Sequence, residues 1–117
     1  MLASGTDLFP VHTMEQALKV LVRDPSNIDL IICTIAFDDS RMMDFLQAVK
    51  REPAISRIPF LCTRVVAGVL SDSSVGTVRA ICTDCGAVDL LDIARLRYDA
   101  GQTALNAAVL KYAAPRN

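Results

Sequence analysis

The sequence predicts an α/β domain built on a parallel β-sheet. Short apolar runs alternate with amphipathic helical stretches along the 117 residues, the order that builds strand–helix–strand crossovers. One run, Ile28–Ile35 (IDLIICTI), is apolar on both alternating faces, as a central strand covered on each side must be. The hydrophobic fraction of 52% and mean hydropathy of +0.36 are high for so short a chain. They predict a large core and a buried subunit interface.

The elements follow in chain order. Leu8–His12 reads as a short strand, and Pro10 inside it places that strand at a sheet edge, since proline cannot donate to a ladder. Thr13 opens a helix, and Thr13-x-x-Gln16 fits a capping box. Met14, Ala17, Leu18 and Leu21 share one face of it, and Asp24-Pro25 ends it. Ile28–Ile35 is the central strand and Ala36–Asp39 the loop after it. Asp39 or Ser40 caps a second helix, pinned by Met42, Phe45, Leu46 and Val49 and stopped by Glu52-Pro53. Ile58–Thr63 is the next strand. Arg64–Leu70 fits a loop, an apolar turn or a short helix. Ser71–Ser74 supplies cap candidates for a helix whose stripe is Val75, Val78, Ile81, Cys82 and Cys85, and Gly86 closes it. Ala87–Leu91 is a fourth strand. Tyr98–Ala113 is a last helix, with Ala104, Leu105, Ala108, Val109 and Tyr112 on one side.

Residues 1–117 show no internal repeat, low-complexity tract or linker, so one domain is expected. A net charge of −1 and a pI near 5.7 argue against nucleic acid as the main partner, because phosphate binding needs a basic face. No apolar run approaches the roughly 18 residues of a membrane span, and MLASGTD lacks the layout of a signal peptide. The expected location is the cytoplasm, where four cysteines do not imply disulfides. With one histidine, few side chains titrate near neutrality.

Asp29–Leu46 is the most informative segment. An apolar run ends in an acidic loop, the place where ligands of open α/β sheets bind. Thr34, Asp38, Asp39, Arg41, Thr63 and Arg64 are therefore the candidate edge residues. Asp38 and Asp39 also fit as complements to a helix dipole, and Arg41 as a solvated charge. Cys82-x-x-Cys85 invites a redox reading, but it lies at a helix C-terminus, where the dipole disfavours a thiolate. Cys33 and Cys62, each one residue before a threonine, read as core residues that neighbouring strands bring close. His12 suits a surface or capping role.

Taken together, Ile28–Thr34, Ser40–Lys50, Ile58–Thr63 and Gly86-Ala87-Val88-Asp89-Leu90-Leu91 resemble the receiver domain of bacterial response regulators, over roughly Phe9 to Ala113. The resemblance implies a flavodoxin-like α/β/α arrangement with about four parallel strands. The family's first strand and helix, and with them its acidic magnesium-binding pair, have no counterpart, and Leu8–His12 aligns with its second strand. Thr34 stands at the phosphoacceptor aspartate. The usual lysine falls near Asp92-Ile93, and Thr63 keeps the hydroxyl position. The resemblance therefore implies a degenerate receiver that does not accept phosphate and needs no cofactor. It would act by contact with a signalling protein and pair with its twin through the sheet face left to the last helix, or through that helix itself. A thiol-based sensor using Cys82 and Cys85, or Cys33 and Cys62, and a binder of a small anion near Asp38–Arg41 stand as alternatives.

Overall fold

Three helices press on one face of a five-stranded sheet and a single helix covers the other. The computed structural model describes residues 1–4, 7–66, 68 and 70–113. The strands are β1 (Leu2–Ser4), β2 (Asp7–Phe9), β3 (Leu30–Thr34), β4 (Phe60–Arg64) and β5 (Asp89–Asp92), in the order β2-β1-β3-β4-β5. The helices are α1 (Met14–Arg23), the short turn α2 (Phe37–Ser40), α3 (Met42–Arg51), α4 (Val75–Asp84) and α5 (Tyr98–Tyr112).

The sheet is parallel from β3 to β5, with Ile31 beside Phe60 and Cys62 beside Leu90. The other side is antiparallel. β1 pairs with β2 and with β3, Leu2 lying between Phe9 and Ile31. The expected all-parallel sheet of about four strands is thus replaced by a mixed one. The strand expected over Leu8–His12 stops at Phe9, because Pro10 has no N–H to continue a ladder. The sequence pattern misses β1 because three residues are too few to show alternation. β1 is nonetheless firmly held. The Ile32 N–H donates to the Met1 carbonyl at 2.8 Å and the Asp29 N–H to the Ala3 carbonyl at 2.7 Å.

Strand alternation divides the core in two. Leu2, Ile31, Cys33, Phe60, Cys62 and Leu90 point to the face packed by α1, α3 and α4. Phe45 of α3 anchors this side, with ring centroids 5.3 Å from Phe37 and 5.4 Å from Phe60. Ala3, Leu30, Ile32 and Leu61 point the other way, under Leu105, Ala108, Val109 and Tyr112 of α5. The alanine-rich stripe expected on the last helix is thus the one that meets the sheet.

Local signals explain most helix ends. Thr13 Oγ1 accepts from the Gln16 N–H at 3.1 Å, and Gln16 Oε1 accepts from the His12 N–H at 3.0 Å, so the box closes one residue early. Gly86 ends α4 at φ +107, a conformation that costs glycine little. A Cβ there would sit 3.3 Å from the Lys50 side chain, whose Nζ donates to the Ser56 and Ile58 carbonyls.

Two expectations fail at helix starts and stripes. Neither Asp39 nor Ser40 caps α3, which begins at Met42 with Arg41 at the cap position and no side-chain cap bond. Asp38, Asp39 and Ser40 instead take positive φ values of 44, 61 and 67, turning the chain between buried Phe37 and buried Met42. On α4, Ile81 is 48% exposed, because Val75, Val78 and Cys82 define a line about 90° away from it. In the expected Arg64–Leu70 segment, Ala67 and Val69 lie outside the described residues. Arg64 itself is the last residue of β4.

Candidate functional site

Parallel pairing sets Thr34 of β3 directly beside Thr63 of β4. Both follow an inward cysteine, so alternation turns both toward the α5 face. They line a cavity of about 200 Å³ with Ile32, Phe37, Val65 and Leu105. Thr63 is 3% exposed. Neither hydroxyl has a hydrogen-bond partner among the described residues. Without an adjacent base, a threonine hydroxyl is a weak nucleophile.

The charged candidates go elsewhere. Asp38 Oδ2 accepts from the Met14 N–H at 2.8 Å, capping the first turn of α1 from across the fold. Asp39 and Arg41 are exposed. Arg64 is 1% exposed and does not reach a docking surface. Alternation sends it to the face opposite Thr63, where Nη1 donates to Asp92 at 3.0 and 3.2 Å. Its Nη2 donates to Asp72 Oδ1 at 2.6 Å and to the Leu70 carbonyl at 2.8 Å. The bond to Asp72, and then that to Asp92, raise the guanidinium above its ordinary pKa despite desolvation. The Arg64 bond, with Arg95 3.4 Å away as second partner, holds the Asp72 carboxyl below its ordinary 3.8.

The cysteines divide differently from the sequence pairing. Cys33 and Cys62 are register neighbours, as expected. Cys82 joins them rather than Cys85, with its Sγ 3.6 Å from Met43 Sδ. Burial pushes the Cys33 thiol up to about 12. The hydrogen bond with Cys82, together with burial, also raises Cys62. Cys85 is half-buried at the end of α4, and all four thiols are free. Among the described residues, no group of three or more His, Cys, Asp or Glu side chains is placed to hold a metal ion.

The structure therefore brings Thr34 and Thr63 together, ties Asp38 to α1, leaves Asp39 and Arg41 at the surface and buries Arg64. Asp72 and Asp92, which sequence reasoning missed as partners of Arg64, carried a signal only in lying at a helix start and a strand end. Val65 and Leu105 carried none, since cavity walls and core share one apolar vocabulary. Compared with known proteins, the chain matches no family model and no curated sequence. No helix among the described residues is long and apolar enough to cross a membrane.

Proposed function

We propose that this chain is a degenerate response-regulator receiver, a flavodoxin-like module of bacterial signalling that works in the cytoplasm by protein contact rather than by accepting phosphate. The observation that carries the reading is the pair Thr34 and Thr63 at the carboxyl ends of β3 and β4. Phosphoryl transfer requires a nucleophile and fixed positive charge around the moving group. Where the family carries its aspartate, this chain has a hydroxyl on an apolar cavity. Where the family carries its lysine, Asp92 is bonded to Arg64. The order β2-β1-β3-β4-β5 supports the fold assignment, while β1 and β2 are three-residue strands that pair antiparallel where the family's strands run parallel.

Contact is the mode of action proposed here, and the α5 side favours it. One helix covers that face, and Leu8 and Leu110 stand 42% and 84% exposed. Solvent-facing apolar residues beside a thinly covered sheet suit a homodimer. Light scattering at micromolar concentration is expected to give a dimer that Leu110→Glu converts to monomer. A wild-type monomer at the same concentration would sink the contact reading.

A further inference from the structure

We infer that the cavity beneath α5 is a binding site for a small neutral amphiphile, a single ring or short aliphatic chain bearing one hydroxyl or carbonyl group. This goes beyond the contact function and does not depend on it. The apolar walls come from several elements: Val11 before α1, Ile32 of β3, Phe37 of α2, Val65 after β4, Ile93 after β5 and Leu105 of α5. The polar side chains on the lining are Thr34 and Thr63. Thr63, one of the lining residues, is more than nine-tenths buried, and its hydroxyl has no protein partner among the described residues. An apolar space with a few convergent hydrogen-bonding groups is the usual form of a small-molecule site.

Size and charge narrow the ligand. The volume is about 200 Å³, and a dry apolar cavity of about 150 Å³ holds benzene. No Lys, Arg, Asp or Glu side chain lines it. The Met1 amine at the wall donates to the Ile32 carbonyl at 2.6 Å, and burial lowers its pKa, which disfavours its charged form. A carboxylate or phosphate entering here would lose its hydration with no side-chain cation in return. A neutral hydroxyl, in contrast, can donate to one threonine and accept from the other.

The test is an amide-resolved NMR titration of the full chain with phenol, toluene and benzoate, repeated on Thr63→Val. Valine keeps the shape and removes the hydroxyl. Phenol is expected to saturate at about millimolar concentration, with shifts centred on Thr34, Thr63, Val65 and Leu105. Toluene is expected to bind roughly fivefold more weakly, the value of one hydrogen bond, and Thr63→Val to remove that preference. Leu105→Phe, which narrows the cavity from α5, should weaken both ligands. Scattered or unsaturable shifts, tighter binding of benzoate, or a phenol preference that survives Thr63→Val would each overturn the site. A positive phosphotransfer result would leave it standing.

Discussion

Arg64 and Asp92 join the ends of β4 and β5 through a two-pronged ion pair, with Nη1 3.0 Å from one carboxylate oxygen and 3.2 Å from the other. The two residues are also register partners. The arginine is inside the protein and the aspartate nearly so. Removing one member of such a pair strands the other charge. Arg64→Met is therefore expected to lower the thermal midpoint well beyond the effect of Arg57→Ala, a change at an exposed position. Equal midpoints for the two variants would contradict the role assigned to Arg64.

Asp72 makes that cluster sensitive to acid. Its folded pKa lies below 3.8 because Arg64, then Arg95, favours the charged form. The stabilisation is therefore present above the unfolded value and lost as pH falls through the folded one. The stability gap between wild type and Asp72→Asn should be constant from about pH 5 to 8 and close below pH 3.8. Urea unfolding across that range measures it. A gap that stays open in strong acid would exclude Asp72 as its source.

The thiols predict the opposite pH dependence. Cys33 is raised from 9.0 to about 12, so the folded state holds its proton more tightly than the unfolded chain. The resulting stability is full below pH 9.0 and declines as pH rises toward about 12. At pH 8 the buried thiols should resist Ellman's reagent while half-buried Cys85 reacts. Rapid, reversible loss of two thiols under mild oxidant, with a change in assembly, would favour the thiol-sensor reading instead.

Asp38 reaches from the loop after β3 to the first N–H of α1. Asp38→Ala should cost about 1 kcal/mol, the usual worth of a cap. Asp38→Asn, which keeps an acceptor, should cost less. Chemical denaturation decides between this structural role and a purely solvated carboxylate, for which both changes would be near neutral.

Gly86 and Gly76 make a paired test of backbone. Gly86→Ala forces a Cβ into a positive φ and against Lys50, and should destabilise by about 1 kcal/mol or more. Gly76 lies in α4 with open space where a Cβ would go. Gly76→Ala should stabilise by about 0.5–1 kcal/mol.

These residues also show what one-dimensional pattern can reveal. The parallel strands were legible because IDLIICTI and IPFLCT are longer than any turn and apolar on both faces. Thr13, Gly86 and the Ala108 stripe were legible because caps and helical faces are local. β1 was not, since Leu2–Ser4 gains its identity only by pairing with Ile31. The fate of Arg64 was not either. Strand parity separates it from Thr63, and its partners Asp72 and Asp92 lie 8 and 28 residues away. Asp38 was read as a charge near a helix start, which it is, but the helix is α1 rather than α3.

Incubation with acetyl phosphate and magnesium asks whether the Thr34–Thr63 edge, proposed above to be unable to accept a phosphoryl group, takes one up. Intact-mass spectrometry is expected to show unmodified protein throughout. A stoichiometric phosphoryl adduct that disappears in Thr34→Ala would contradict the account.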